Sequence, residues 1–289
     1  MSLSTLNFNT PMLMACACSL RLISLIGGCL LPWCLQTPVQ AQTVQRTWPF
    51  ETTTDIFTVH SDFPITDGID LEQTLQFLRR DIEELLQLPN STEKVHIVLF
   101  SSSAEYTRYM QHYFPTIIQR RAIFLQDRGP GMLFTSWHEE IETDLRHEAT
   151  HALLNQSGSR TPLWLDEGLA EYFEVSRECR FASNPYLEQV AERARNGLIP
   201  SMMELEKITQ ESQFTDSHYR DSWAWVHLLL HRRQQTRQLL ISFLERARNK
   251  TPQLALSRQL AQIMEDPCLE FQSHFQDLTA FNVTASLSQ

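Results

Sequence analysis

The sequence predicts an α+β fold, with a small mixed β-sheet and its helices in the first half and helices alone in the second half. Short β-branched and aromatic runs, which favour strands, are concentrated before Trp137. After Trp137 the apolar residues recur with a helical period. No internal repeat or low-complexity linker interrupts the chain. We therefore expect one domain at 42–289, with a β-rich subdomain at about 52–136 and a helical subdomain at about 137–289.

In the first half, turn and cap residues separate the elements. Asp70 can cap a helix of period 3.6, and the apolar run at 95–100 is typical of a buried strand. The glycines and proline at 129–131 predict a turn between two strands. The expected strands are 56–59, 95–100, 122–125 and 132–135, and the expected helices are 71–88 and one that begins at serines 101–103 and runs to about 114.

In the second half, periodicity alone defines the elements. Thr161 is a suitable N-cap for one of these helices, with Pro162 as its first residue. The expected helices are 138–156, 162–176, 185–196, 217–232, 235–248 and 253–266.

Composition limits the class of protein. The chain has 289 residues, of which 42% are hydrophobic and 20% charged, and this is ordinary for a soluble globular protein with a sizeable core. The formal net charge of -10 argues against nucleic acid as a partner. It does not identify a substrate.

The first 41 residues have the pattern of a signal peptide. Arg21 precedes an uncharged apolar run at 22–35, and the small-residue segment 39–41 follows. We expect cleavage after Ala41 and export to the periplasm or the extracellular space. The alternatives are an uncleaved anchor, with membrane association through this segment only, and a lipoprotein, since 26–29 loosely resembles a lipobox.

The residues that carry chemistry begin with an H-E-x-x-H motif. His147 and His151 are four residues apart, so on a helix they lie on one face and can share one Zn²⁺ ion. Glu148 lies beside the first histidine, where it can act as a general base toward water. The alternative is a solvated helix face with two surface histidines.

A zinc site of this kind needs a third protein ligand. Gly158 can end the first helix, and the returning helix at 161–174 can bring Glu167 opposite the two histidines. Asp166 is the competing third ligand, and otherwise a neighbour of the ligands. Glu167 is favoured because Glu171, one helical turn later, is also acidic and both can face the metal.

Two further residues of this helix, Glu171 and Gly168, can be interpreted in terms of the predicted metal site. Glu171 can accept a hydrogen bond from the distal nitrogen of a ligand histidine, or can be an exposed carboxylate. Gly168 in a helix interior costs about 1 kcal/mol relative to Ala. A close approach of two helices beside the metal would explain it.

The motifs H-E-A-T-H and W-L-D-E-G-L-A-E-Y-F-E, within 145–174, resemble the gluzincin branch of the zincin metallopeptidases. Thermolysin and the aminopeptidase N family belong to that branch, and the likeness is greatest to secreted bacterial peptidase MA-like proteins. The resemblance implies a zincin-like fold whose active site lies between the H-E-x-x-H helix and the following helix. It implies Glu148 as the base and Glu167 as the third zinc ligand.

The resemblance extends loosely to 218–225, which is similar to the stretch where aminopeptidases place an oxyanion-stabilising Tyr. That residue would be Tyr219, and His218 is the alternative. A Tyr packed on the core is the competing reading. The segment 129–134 lacks the acidic residue that binds a free substrate amine in aminopeptidases, so we expect an endopeptidase. An edge strand at 132–135 could bind an extended peptide or protein substrate.

Other residues and other functions remain open. Cys179 and Cys268, the cysteines outside the leader, could form a disulfide after export or stay as thiols. His227 and His231 repeat the i, i+4 spacing but lack an acidic neighbour, so packing is favoured over metal binding. The alternative functions are a non-catalytic zinc-binding or interaction module, and a cell-envelope structural protein that binds no metal.

Overall fold

A five-stranded mixed sheet occupies the first half of the described chain in this computed structural model. The structure describes residues 48–65, 70–127, 129–158 and 161–287, with side chains up to 279. The strands are β1 (Phe50–Thr54), β2 (Phe57–Ser61), β3 (Val95–Phe100), β4 (Ala122–Leu125) and β5 (Gly131–Ser136). Their order is β1-β2-β3-β5-β4; β3 is parallel to β2 and β5, whereas the outer strands β1 and β4 are antiparallel to their neighbours.

Helices surround this sheet and make up the chain beyond it. Within the described residues they are α1 (Leu71–Leu86), α2 (Ser103–Tyr113), α3 (Ile141–Gln156), α4 (Leu163–Phe173), α5 (Leu187–Arg195), α6 (Met202–Leu205), α7 (Asp216–His231), α8 (Gln234–Arg248), α9 (Leu256–Ile263) and α10 (Pro267–Leu287). A 3₁₀ turn, Glu211–Gln213, precedes α7.

The two faces of β3 are covered by different helices because strand side chains alternate between faces. Ile97 and Leu99 join the main core with α1 and α3, whereas Val98 and Phe100 pack with α2 in a smaller cluster. Both faces of β3 are therefore buried, which is why its sequence reads as a continuous apolar run.

Helix α4 lies inside the helical half, between α3 and α7. Apolar residues cover it on all sides, as expected of a helix with no solvent-facing stripe, and Trp164, Leu165 and Leu169 are fully buried. Glu167 and Glu171 are buried on the same helix. Because buried carboxylates need partners, α4 is where the fold concentrates polar interactions in an apolar setting.

The α+β class and the small mixed sheet are confirmed, and most predicted elements match the structure within three residues. The Asp70 cap is confirmed, since its side chain accepts a hydrogen bond from the Gln73 backbone N–H at 2.9 Å. Gly158 ends α3 with φ of 70°, a backbone conformation that suits glycine. The predictions omitted β1, α6 and α10.

Two local predictions are wrong. Pro162, with φ of -56° and ψ of 144°, is itself the cap of α4, so the helix starts at Leu163 rather than at Pro162 after Thr161. The segment 132–135 is not an edge strand, because β5 pairs with β3 on one side and β4 on the other. β4 forms that edge of the sheet.

Three predictions concern the chain ends and cysteines. The predicted signal peptide at 1–41 lies outside the described residues, which all fall within the compact unit Arg46–Gln289. Among the described helices, none combines the length and apolarity needed to cross a membrane. Cys179 and Cys268 are exposed free thiols, so the structure contains no bridge between them.

Candidate metal centre

Helix α3 presents the two histidines of the motif on one face. His147 and His151 are one turn apart, and their ring centroids are 5.0 Å apart. The opposite face of α3, with Leu145 and Ala149 fully buried, is fixed in the core. The packing of the apolar face therefore sets the direction of both imidazoles toward α4.

Glu167 on α4 meets both imidazoles at one point. Its Oε2 atom lies 3.7 Å from His147 Nε2 and 3.6 Å from His151 Nε2. Three ligand atoms bound to one zinc ion at tetrahedral angles lie roughly 3.3 Å from one another, so this spacing is close to that of a metal site. The distances are also too long for hydrogen bonds.

The chemistry of this oxygen fits a metal ligand. The Glu167 side chain is only 5% exposed, and its Oε2 atom has no hydrogen-bond partner. An unpaired buried acceptor costs about 1–3 kcal/mol or more for a charged group. Two nitrogen donors and one carboxylate are also a ligand set that zinc uses. The residues present therefore fit a zinc ion at this point.

The close contact between α4 and α7 holds Glu167 in place. A Cβ added at Gly168 would lie 2.7 Å from the Ser222 carbonyl oxygen and 2.9 Å from Val226 Cγ2. The structure thus explains the glycine by a close helix–helix approach, with α7 rather than α3 as the partner. Gly168 lies in the interior of α4, so the glycine is not there to end a helix or to form a turn.

The distal nitrogens of the two histidines are bound to carboxylates. His147 Nδ1 lies 2.9 Å from Glu174 Oε2, and His151 Nδ1 lies 2.7 Å from Asp166 Oδ2. Such contacts orient the rings and hold the proton on Nδ1, which leaves Nε2 as the ligand atom. Asp166 therefore contacts one histidine from behind, whereas Glu167 is the acidic residue that joins the two histidines in the candidate ligand group.

Glu171 does not take the role expected of it. Its carboxylate is hydrogen bonded with Tyr186, and the partner of His147 is Glu174, which follows α4. Burial and the nearby Glu174 raise the pKa of Glu171 to about 7. Glu174 was missed in the sequence, although its i+7 spacing from Glu167 puts both on one helix face.

Without metal, the carboxylates determine the charge of the histidines. Burial lowers the pKa of His147, but Glu167 and Glu174 outweigh it and raise the pKa well above 6.5. Burial likewise opposes charge on His151, yet Asp166 raises its pKa to about 9. Burial raises and the histidines lower the pKa of Glu167, with a net fall. Without metal, the carboxylates therefore stabilise positive charge on the two rings.

Glu148 faces the same space and is tied to the sheet. Its Oε2 atom accepts a hydrogen bond of 2.7 Å from the Phe124 backbone N–H on β4. That N–H points away from β5, so the outer edge of β4 faces the motif helix. The contact fixes the carboxylate beside the histidines and next to an unpaired strand edge.

The two candidate oxyanion donors are placed differently. Tyr219 at the start of α7 is hydrogen bonded with Arg120, and burial together with the nearby Glu167 raises the pKa of its phenol to about 12. His218 belongs to the cap of α7, where its Nδ1 atom accepts a 3.1 Å hydrogen bond from the Thr215 N–H. The structure places Tyr219 near the candidate ligands, whereas His218 caps the helix.

Two cavities open on either side of Glu148. The larger, of about 720 Å³, is lined by Glu148, His151, Asp166 and Glu167, with apolar walls from β4 and the segment before it. The smaller, of about 210 Å³, is lined by His147, Glu148, Glu171 and Tyr219. Arg120 lines both cavities. It has no sequence signal, because it lies in an irregular segment far from the motif.

Comparison with known proteins gives one match. The profile of a family described as "Protein of unknown function (DUF1570)" matches residues 141–253. This is the segment that carries α3, α4 and α7, and so all three candidate ligands. Its description names no activity. None of the curated proteins matches the chain.

A second histidine group lies at the other end of α7. His227 Nε2 donates to the Phe181 carbonyl at 2.9 Å, so its Nδ1 accepts from His274 Nε2 at 2.8 Å. His231 Nε2 lies 2.7 Å from the Tyr172 hydroxyl. Burial lowers the pKa values of His227, His231 and His274 to about 4, 3 and 2. Among the described residues, this group does not bring three ligand atoms together.

Proposed function

We propose that the chain is a zinc-dependent peptidase, most simply an endopeptidase, with His147, His151 and Glu167 as metal ligands. The observation that carries the proposal is the meeting of three ligand atoms at one buried point, where Glu167 Oε2 has no hydrogen-bond partner. Two supporting carboxylates hold the histidines in the ligating tautomer. These contacts, with the resemblance to gluzincins, support a zincin-like reading of the fold.

Glu148 is the general base of the proposed reaction. Zinc bound at this point supplies a Lewis acid, which makes water easier to deprotonate and a peptide carbonyl easier to attack. Glu148 takes the proton of the attacking water while Phe124 N–H holds one of its oxygens. Glu148 then delivers that proton to the leaving amine nitrogen, which restores the carboxylate.

Tyr219 is favoured over His218 as the donor to the developing oxyanion. Its phenol lines the smaller cavity with His147 and Glu148. Because its pKa is raised to about 12, it stays protonated and can donate at physiological pH. His218 instead belongs to the cap of α7, where its Nδ1 accepts from the Thr215 N–H, and it lines neither of the two cavities.

The outer edge of β4 is the proposed docking surface for the substrate. Ala122, two residues before Phe124, presents its backbone on this outer side; the Phe124 N–H there is bonded to Glu148, so a peptide would pair through the other backbone groups of the edge. An extended peptide that pairs with this edge lies along the larger cavity, whose walls include Ile123 and Leu163. We propose exported peptide or protein substrates, in accord with the signal-like N-terminus.

The second candidate is a zinc-binding module without catalysis. The contact from Phe124 to Glu148 favours it, since that carboxylate then has a structural role that needs no chemistry. Both candidates require zinc. They differ in whether Glu148 is needed for turnover.

The test is cleavage of an unfolded protein, such as reduced and alkylated casein, by the zinc-loaded chain. We expect cleavage that a chelator abolishes and added zinc restores. Glu148→Gln should keep its zinc and lose at least about 100-fold in rate, because it removes the general base. A Glu148→Gln variant that cleaves at the wild-type rate would refute the mechanism, and a zinc-loaded wild type that cleaves nothing would favour the non-catalytic module.

A further inference from the structure

Arg120 occupies the junction of the two cavities. It and Glu148 are the two residues that line both spaces. A substrate that reaches from one cavity into the other would therefore lie beside Arg120 and Glu148. Since Glu148 lies beside the proposed ligands, the reacting carbonyl would also lie near Arg120.

An ion pair and a hydrogen bond anchor the guanidinium. Arg120 Nη2 forms an ion pair with Glu211 Oε1 at 2.5 Å, from the 3₁₀ turn that precedes α7. Arg120 is also hydrogen bonded with Tyr219. As a guanidinium has only donors, Tyr219 accepts this bond, and its own O–H hydrogen can donate elsewhere.

The charges around Arg120 fit an anion in front of it. The charge of Glu167 helps to raise the pKa of the Arg120 guanidinium, and both residues line the larger cavity, so Arg120 lies near the proposed ligands. With zinc bound, the negative charge of Glu167 is taken up by the metal. The guanidinium and the Tyr219 hydroxyl are then two donors directed at the same space.

We infer that Arg120 is a catalytic residue that, together with Tyr219, binds the oxyanion of the tetrahedral state. The inference rests on the proposed function. A charged donor interacts with an oxyanion more strongly than a neutral phenol, and it gains strength as negative charge develops on the carbonyl oxygen. Glu211, which also lines the larger cavity, holds the arginine in place through the ion pair.

The experiment compares Arg120→Gln, Arg120→Lys, Tyr219→Phe and the double variant Arg120→Gln/Tyr219→Phe in zinc-loaded protein. Loss of one oxyanion donor should lower kcat by about 100-fold, with KM changed little. Arg120→Lys should retain an intermediate rate because it keeps the charge. The double variant should be slower than Tyr219→Phe alone. Arg108→Gln, an exposed replacement on α2, is the matched control and should leave kcat unchanged.

A binding measurement separates this role from general substrate binding. A phosphinic peptide, which mimics the tetrahedral state, should bind Arg120→Gln about 100-fold more weakly than wild type. In the Glu148→Gln background, the same Arg120 replacement should change the dissociation constant of an uncleaved substrate peptide by less than about threefold, because the ground-state carbonyl carries little charge. Zinc content should be unaffected.

Several results would overturn the inference. A change in KM alone would assign Arg120 to substrate binding, and a double variant as fast as Tyr219→Phe would make it only a support for Tyr219. Normal kcat in Arg120→Gln would exclude any role in the reaction. These variant results can be interpreted only if the wild type cleaves the substrate. A wild type without metal-dependent cleavage would instead refute the proposed function, and this inference with it.

Discussion

Two histidine groups of this protein share a spacing and differ in almost every other respect. His147 and His151 on α3, and His227 and His231 on α7, are both i, i+4 pairs. The first pair faces carboxylates, which raise the pKa values of both rings. The second pair faces a third imidazole, a phenol and a backbone carbonyl, and burial lowers the pKa values. The spacing brings two rings together, but the acidic neighbours provide the electrostatics that a cation needs.

The sharpest test of this comparison is metal affinity. His147→Ala removes one of three proposed ligands and should weaken zinc binding on the order of 1,000-fold, since each ligand contributes a large share of the binding free energy. His231→Gln removes a ring from the second pair and should leave zinc affinity and stoichiometry unchanged. Chelator competition measures both. Equal affinity in wild type and His147→Ala would remove this histidine from the ligand set.

A smaller effect is expected from the carboxylates behind the ligands. Asp166→Asn and Glu174→Gln each weaken the hold on a ligand ring, and each should lower zinc affinity by about 10–100-fold. Tyr172→Phe removes the hydroxyl that contacts His231 and is the matched control in the second group. We expect no change in its zinc affinity. If Tyr172→Phe weakened zinc as much as Asp166→Asn, the two groups would not be distinct.

The second group should make stability depend on pH. The pKa of His227 is about 4 in the folded chain and near 6.5 when unfolded, so the unfolded state binds more protons between these values. Stability is therefore retained above pH 6.5 and lost as the pH falls below it. At pH 5 the loss is about 2 kcal/mol for a histidine shifted in this way.

Urea midpoints between pH 7 and pH 5 measure this slope. The nearby cations Arg180, Arg232 and Arg237 keep their charge throughout this range, so within the second group the histidines are the residues that titrate. His274→Gln, whose amide can still donate to His227 Nδ1, should reduce the slope by roughly one histidine's share. His112→Gln, on the exposed side of α2, should not. An unchanged slope in His274→Gln would contradict the assignment.

The sequence predicted the parts of the fold that depend on local pattern. A continuous apolar run located β3, and helical periodicity located α1, α3 and α7, because each of these helices presents a regular apolar face. β1 was missed because its side chains are mostly exposed and give no apolar run. The order of the strands was not predictable in detail, since the pairing of β5 with β3 depends on contacts distant in sequence.

Of the candidate site, too, the sequence predicted only the residues that belong to a local pattern. The motif and its spacing identify His147, Glu148 and His151, and the i+4 relation of two acids pointed to Glu167. Which carboxylate meets which ring, however, depends on the rotation of α4 against α3. Glu174 and Asp166 make those contacts, while Glu171 is bonded with Tyr186. Arg120 and Glu211 come from irregular segments, for which the sequence has no periodic signal.

The absence of a side chain at Gly168 has a consequence beyond packing. The residue follows Glu167 directly, and the carbonyl it approaches belongs to Ser222, three residues after Tyr219. Main chain therefore rests on main chain between the helix that carries the carboxylate ligand and the helix that carries the phenol. A smaller side chain on α7 could not relieve this contact, so the residue at position 168 determines the distance between the Glu167 carboxylate and the Tyr219 hydroxyl. A side chain at position 168 would push α7 outward, and the Tyr219 hydroxyl would move with it.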